Sequence, residues 1–366
     1  MKIVTDRDSL LKPLTHIGGV IERRQTLPIL ANALINARSE QLTITATDLE
    51  VEMKTGAAAK CDADIDFTLP ARKLIDICRA LPEGAEMSIT VEGERATIRS
   101  GKSRFALGTL PAQDYPLIDP TASTLRFSVS EGLLKRLLDK TQFAMAQQDV
   151  RYYLNGLMLE VAGGKIRSVA TDGHRLATYE ADCQVDEQVD LQVIIPRKAV
   201  LELGRLLSDS EESVEVDISS NHMRINMTDA VFTSKLIDGK FPDYNRVIPA
   251  DSDKIIIADK EALRSALQRT SILSNEKYRG IRFQFMPGTL GLLAHNPEQE
   301  EAQDEMPVDY DGGELVIGFN VGYLLEVLNV IESENVKMHL SDSNSSCLIK
   351  DELSSNSRYV IMPMRL

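Results

Sequence analysis

No apolar run in these 366 residues approaches the roughly 20 that a membrane-crossing helix requires. The opening stretch MKIVTDRDSLL puts acids where an export leader needs its apolar segment, so no leader is expected and the expected location is the cytoplasm. Cysteine is scarce: Cys61, Cys78, Cys183 and Cys347 lie far apart with no C-x-x-C pair. That spacing argues against a disulfide framework or a zinc site and fits free thiols in a reducing compartment. Basic charge is in deficit as well, 41 Lys and Arg against 55 Asp and Glu, for a net charge of −14. Averaged over the chain, that deficit argues against binding nucleic acid. What the sequence does have is 43% hydrophobic and 26% charged residues, the profile of a globular chain with ample core. Its length suits two or three domains.

The chain repeats itself three times. Strand-like alternation running into a turn occurs as LTITATDLE (42–50), IRSVATDGH (166–174) and LGLLAHNPE (290–298), with Ala46, Ala170 and Ala294 spaced by 124 residues. A second series is LIDICRAL (74–81), VLELGRLL (200–207) and LLEVLNVI (324–331), whose starts differ by 126 and 124. A third is LLKPLTHIGGVI (10–21), LLKRLLDKTQFA (133–144) and ALRSALQRTSIL (262–273), spaced by 123 and 129. Three landmarks with nearly one period give three domains, 1–124, 125–250 and 251–366, with linkers near 119–125 and 249–254. Within each copy the order strand, helix, several strands occurs twice. Helical segments carry apolar residues at helical spacing, as in Leu133, Leu134, Leu137 and Leu138. Strands alternate, as in SVEVDIS (213–219) and MRINMT (223–228). The expected fold class is α+β, with two helices per domain packed on antiparallel sheets.

Asp172 and His174 in the middle copy invite a catalytic reading, and the repeat tests it. The first copy has Asp48-Leu49-Glu50 at that place and the third has Asn296-Pro297-Glu298. Asp or Asn ahead of Gly or Pro is turn chemistry, the side chain bonding its own backbone. A hydrolase built on His174 and Asp172 remains an alternative, since one copy can specialise. However, no G-x-S-x-G, H-E-x-x-H, P-loop or G-x-G-x-x-G is present to support it. No catalytic residue, metal or cofactor is expected.

The charge deficit is unevenly spread. Over the six helical windows, 10–21, 70–81, 133–144, 196–207, 262–273 and 320–331, basic residues exceed acidic ones by eight. Lys and Arg at helix C-termini would merely offset macrodipoles. Arg72 and Lys73, like Arg197 and Lys198, sit at helix starts instead, where phosphate is the natural partner. The loop QQDVRYYLNG (147–156) adds Gln148, Tyr152 and Tyr153. In an extended segment two successive tyrosines face opposite ways, so one of them either touches a sugar-phosphate edge or base, or simply snorkels.

Ordered matches now accumulate: LLKPL (10–14), TLPIL (26–30), PARK (70–73), LPEGAE (81–86), VRYYLNG (150–156), ATDGHRLA (170–177), FPDY (241–244), ILSNEK (272–277), NPEQEEA (296–302), GFN (318–320) and MPMRL (362–366). By these the chain resembles, along its whole length, the bacterial sliding clamps, the beta subunits of DNA polymerase III. The resemblance implies a non-catalytic processivity factor. It would be a head-to-tail homodimer closing into a six-domain ring around double-stranded DNA, with helices lining the hole. Implied partners are the polymerase III catalytic subunit, the clamp loader, and other DNA polymerases and repair proteins that dock through short peptides. No membrane partner is implied. A DNA-free adaptor carrying the same peptide clefts is the remaining alternative.

The resemblance also implies sites. The peptide cleft falls on Leu154, Thr171, Gly173, His174, Arg175, Leu176, Pro242, Arg246, Val247, Ser346, Val360, Met362, Pro363, Met364 and Arg365, with Asn320 and Tyr323 at its edge. Met, Pro, Leu and Val together make a soft apolar groove suited to an extended peptide with Gln and Leu or Phe anchors. DNA contacts fall on Arg24, Arg72, Lys73, Arg79, Gln148, Tyr152, Tyr153, Lys198 and Arg205. The dimer seam sets Phe105 and Leu107 against Ile272 and Leu273, and Lys102 and Arg104 against Glu298, Glu300, Glu301 and Asp304. Asn344 and Tyr278 depart from the family pattern, which has an apolar residue and Phe there.

Overall fold

A single unit, strand–helix–three strands, recurs six times. The computed structural model describes residues 1–21, 27–119, 122–250 and 252–365. The first unit is β1 (Lys2–Asp6), α1 (Arg7–Ile17), β2 (Asn32–Arg38), β3 (Gln41–Thr47) and β4 (Val51–Ala58), with a short β5 (Lys60–Cys61) appended. The second is β6 (Ile65–Pro70), α2 (Ala71–Ala80), β7 (Glu86–Glu92), β8 (Arg95–Ser100) and β9 (Ser103–Gly108). The third is β10 (Ser123–Ser130), α3 (Glu131–Asp139), β11 (Gly156–Ala162), β12 (Lys165–Thr171) and β13 (Arg175–Asp182). Next come β14 (Asp190–Pro196), α4 (Arg197–Leu206), β15 (Ser213–Ser219), β16 (His222–Asn226) and β17 (Ala230–Lys235). The fifth is β18 (Lys254–Asp259), α5 (Lys260–Ser271), β19 (Gly280–Met286), β20 (Thr289–His295) and β21 (Glu301–Pro307). The last is β22 (Leu315–Asn320), α6 (Val321–Val330), β23 (Asn335–Leu340), β24 (Cys347–Asp351) and β25 (Ser357–Ile361).

The junction from strand to helix is written locally. Asp6 ends β1 and its carboxylate accepts from the N–H groups of Asp8 and Ser9, capping α1. Asp259 accepts from Ala262 N–H and Asn320 from Gly322 N–H, at the starts of α5 and α6. One helical expectation is too long. The window 133–144 gives way after Asp139, and Gln142–Ala144 form a 3-10 turn. Thr141 donates its hydroxyl back to Leu137 O, while its N–H reaches only three residues back to Leu138 O, which tightens and closes the helix.

The chain divides into two compact units, residues 1–133 with 201–236, and residues 134–200 with 237 onward. The first holds a five-stranded sheet, β5-β1-β7-β8-β9, and an eight-stranded sheet, β10-β15-β16-β17-β4-β3-β2-β6. The second holds an eight-stranded sheet, β14-β11-β12-β13-β25-β24-β23-β18, and a four-stranded one, β21-β20-β19-β22. Among the described residues every strand pairing is antiparallel. In the first unit α1 packs on α2 and on β4; in the second α5 packs on α6 and on β20 and β21. No described helix is long and apolar enough to cross a membrane.

Each eight-stranded sheet is two four-stranded halves from different repeats, joined edge to edge. In the first unit β17 pairs with β4, and Phe232 faces Met53, both fully buried. In the second β13 pairs with β25, setting Leu176 opposite Val360 and Ala177 opposite Tyr359. These joins seal edges that would otherwise expose a row of backbone groups. Because Phe232 lies inside its join, Phe232→Ala should cost about 3–5 kcal/mol, from lost burial plus the cavity left behind. Urea denaturation followed by circular dichroism measures it; a loss under about 1 kcal/mol would mean the join is not a cooperative part of the core.

Candidate functional site

The loop between β12 and β13 is built by Asp172. Its Oδ1 accepts from the N–H groups of His174 and Arg175 at 2.9 and 3.0 Å, and its Oδ2 takes Arg175 Nε at 3.1 Å. Asp48 makes the same turn in the first repeat, accepting from Glu50 and Val51 N–H. Asn296 accepts one residue further on, from Glu300 N–H. The turn needs a left-handed residue after the acid: Gly173 has φ 88°, and Leu49 takes φ 78° at the same place. Both carboxylate oxygens of Asp172 are thus committed to the turn and to Arg175. The His174 side chain is exposed, and Asp172 does not orient it for proton transfer.

Arg175, expected in the cleft lining, points inward from the loop. It is 9% exposed. Its guanidinium pairs with Asp172 and with Glu326 of α6, and donates to Phe143 O at 2.6 Å. It also lies 4.4 Å from the centre of the Tyr323 ring, a cation–π stack. The buried guanidinium is held by these partners, so this side chain is a strut joining the loop to α6. Asn320 is likewise structural: besides capping α6, it donates to Tyr278 O at 3.2 Å.

Around the loop lies one apolar cluster. Leu154, Leu176 and Val360, each at most 3% exposed, belong to it with Ala146, Met158, Val169, Ile194, Phe241, Tyr244 and Leu348. These form a floor. Above them Pro242, Arg246, Val247, His174, Met362 and Arg365 are exposed, while Gly173, Ser346, Pro363, Met364 and Tyr323 are half-buried and Thr171 is buried. The segment after β25 is held down, Met362 N–H donating to His174 O and Met364 N–H to Gly318 O. The structure therefore brings the expected cleft residues of the second unit together around one apolar floor with an exposed polar and methionine rim. Asn344 is exposed nearby in sequence, its N–H held by Asp342.

The residues expected to meet DNA are placed less uniformly. Arg72, Lys73 and Arg79 are exposed on α2, and Arg72 donates to Ile21 O. Arg205 is exposed but pairs with Glu202 at 2.6 Å, and Lys198 is half-buried. Arg24 lies outside the described residues. The tyrosine loop is not extended: Tyr152–Leu154 form a 3-10 turn, Tyr152 is 58% exposed, and Tyr153 packs on the apolar cluster with the two rings edge to face. Gln148 beside it is exposed at φ 57°. Arg151 grips this loop through Asp149 and reaches across to Asp172 O at 3.1 Å. The Arg151 hydrogen bonds hold the Asp149 carboxyl down at about 2. The pairing is thus present above the usual carboxylate range and lost as pH falls through about 2.

The sequence profiles of the DNA polymerase III beta subunit match in succession: the N-terminal domain over residues 1–119, the central domain over 128–243 and the C-terminal domain over 245–365. A beta sliding clamp of Pseudomonas aeruginosa is 52% identical and one of Escherichia coli K12 is 48% identical, each aligned over the whole of both chains. A crystal structure of the Pseudomonas aeruginosa clamp superposes with a TM-score of 0.96 at 52% identity, and covers all of both chains. The Caulobacter crescentus pol III beta structure, 40% identical, gives 0.94 with the same coverage. The chain belongs to the DNA polymerase III beta subunit family.

For a beta subunit, strand edges matter as much as the cleft. β9 ends the five-stranded sheet and β21 ends the four-stranded one. Beside and along β9, Lys102 and Arg104 are exposed and Phe105 is half-buried, while Leu107 is 9% exposed. Beside and along β21, Glu298, Glu300 and Glu301 are exposed, and Asp304 is half-buried in a pair with Arg269 at 2.7 Å. Ile272 follows α5 with 77% exposure and Leu273 is half-buried. The thiols offer no competing chemistry, since burial raises the pKa of all four cysteines and takes Cys78 to about 11.

Sequence reading missed the groups that brace the beta subunit cleft, Glu326, Glu160, Arg167 and Tyr244. Nothing local marks them, because their partners lie on other strands. The Asp172 turn gives a direct test. A Cβ on Gly173 would sit 2.9 Å from the Arg151 guanidinium and force φ 88° on a side chain, whereas Gly288, at φ 76°, has nothing within 4 Å. Gly288→Ala should cost about 1 kcal/mol of backbone strain alone, and Gly173→Ala more, with Arg151 displaced. Urea midpoints by circular dichroism measure both; equal losses would mean the Arg151 contact is without consequence.

Proposed function

We propose that this chain is a DNA sliding clamp, a non-catalytic factor that encircles duplex DNA and tethers polymerases and other DNA-handling proteins by their peptides. The observation that carries the reading is the uninterrupted run of the three beta-subunit domains along the whole chain. Three clamp domains, 1–124, 125–250 and 251–366, would then form each half of a six-domain ring made by two copies in the cytoplasm. The peptide cleft is assigned to the loop 171–176, the 242–247 rim and residues 360–365 over their apolar floor, with Leu154, Asn320, Tyr323 and Ser346. DNA would meet Arg24, Arg72, Lys73, Arg79, Gln148, Tyr152, Tyr153, Lys198 and Arg205. A chain of net charge −14 is poorly suited to holding phosphate, and its contacts are salt-sensitive because each releases counterions. Residence therefore rests on topology.

Loading onto nicked circular DNA with the clamp-loading ATPase, then gel filtration, tests this. A single cut in the circle should release the protein at a salt concentration that leaves it on uncut circles. Retention that follows salt and ignores cutting would make it an ordinary electrostatic binder.

The seam is assigned to the β9 edge with Lys102, Arg104, Phe105 and Leu107 of one copy, and Ile272, Leu273 and the acidic β21 edge of the other. The exposure of Ile272 favours this, since an apolar centre is what a stable seam requires. Ile272→Ala/Leu273→Ala should sediment as a folded monomer where the parent sediments as a dimer. A dimer that survives both substitutions places the seam elsewhere.

A further inference from the structure

Beside the floor of the proposed cleft, four strands of one sheet carry a continuous polar row. Gln192 of β14 stands opposite Glu160 of β11, Glu160 opposite Arg167 of β12, and Arg167 opposite Glu180 of β13. Gln192 donates to Glu160 Oε1 at 2.6 Å, Arg167 donates to Glu160 Oε2, and its other nitrogens reach Glu180 at 2.6 and 3.0 Å. Lys165 adds a bond to Glu180 at 3.2 Å. Two residues along the same strands is the apolar row Ile194, Met158 and Val169, part of the cleft floor. Side chains two apart share a face, so a single sheet face passes from apolar floor to charged row in one step.

Tyr244 spans that step. Its ring belongs to the apolar cluster and the residue is 6% exposed. Its hydroxyl accepts from Arg167 Nη1 at 2.9 Å and donates to Glu160 Oε2 at 3.3 Å, so the group uses both of its roles in the row. Tyr244 is also the first residue of the 3-10 turn Tyr244–Val247 and lies two residues after Pro242. The exposed rim residues Pro242, Arg246 and Val247 hang on this anchor, with the start of the segment tied by Ile237 N–H to Ile194 O.

We propose that Tyr244 is a positioning residue for peptide binding: its hydroxyl, seated between Arg167 and Glu160, fixes where the 242–247 rim stands over the cleft floor. The proposal rests on the assignment of the cleft to partner peptides. Tyr244→Phe keeps the ring in the floor and removes only the hydroxyl. The rim is then held by apolar contact alone, which is non-directional and fixes position less sharply than a bond to a charged group.

The probe is a fluorescein-labelled pentapeptide with Gln first and Leu-Phe last, titrated by anisotropy against the full chain. Amide hydrogen exchange is read on the same samples. Tyr244→Phe should weaken binding by about ten- to a hundredfold, the worth of a hydrogen bond to a charged group. Exchange should quicken at residues 243–248 and nowhere else in the second unit. Glu160→Gln, which keeps the shape and dulls the acceptor, should weaken binding in the same direction, and the double variant should be no worse than Tyr244→Phe alone. Unchanged affinity in Tyr244→Phe, with the parent binding, overturns the proposal and leaves the cleft intact. Faster exchange across the whole unit also overturns it, because the hydroxyl is then a general stabiliser. A parent that ignores the peptide, or a chain ending at Ile361 that still binds it, overturns the cleft reading and this proposal together.

Discussion

An antiparallel sheet of four strands has two open edges, each a row of backbone donors and acceptors that must be paired, covered or wetted. That constraint organises this chain. Within a repeat the two strand–helix–three-strand units exchange first strands, as β6 joins β2 and β10 joins β15, and the chain closes further edges by abutting sheets from different repeats, β17 on β4 and β13 on β25. Two of the largest buried side chains lie at these joins, Phe232 at one and Tyr359 at the other. A join of this kind couples repeats more firmly than side-chain contact would, because a register slip of one residue turns every inward side chain outward.

The candidate cleft inherits its rigidity from the second join. β13 and β25 both contribute to its floor, so the loop before β13 and the segment after β25 arrive side by side without a designed linker. Charge is then used beside the apolar surface and not on it. Arg175 braces the loop against α6, and the row through Glu160 and Arg167 braces the opposite rim. Burial works against the Arg167 charge, yet its bonds to Glu180 and the neighbouring carboxylates hold it well above the ordinary value. The surface left for a ligand is apolar and methionine-bearing, on a scaffold whose ionic groups already have partners.

Much of this was legible in the sequence because it is written at fixed spacings. The period of about 124 residues shows three copies, and the doubled order of strand, helix and strands inside each copy is the order found. The Asp172 turn was readable from Asp48 and Asn296, since an acid capping its own loop needs only neighbours two and three residues on. The braces were not readable. Arg175 looks like a surface cation in ATDGHRLA, and only the fold brings Glu326 to it across 151 residues. Glu160, Arg167, Glu180 and Gln192 read as the polar members of alternating strands until the register lines them up. Leu107 illustrates the same limit: it alternates with Arg104 and Ala106 along β9, and only the fold shows that it is 9% exposed. Pairwise alternation says which residues share a face and not which face meets solvent.

Two of the terminal strands carry opposite charge, Lys102 and Arg104 by β9 and Glu298, Glu300 and Glu301 by β21. Like edges brought together would set cations on cations or acids on acids, so self-pairing of either edge is penalised. If these two edges meet in the proposed seam, each copy offers a plug and a matching socket. Connectors of that kind join in one direction only, and their product is decided by the angle gained per joint: a half-turn closes two into a ring, and any angle that fails to close gives an open fibre. In the proposed assembly the charges would choose the direction of joining, while the angle of the joint would decide whether it closes.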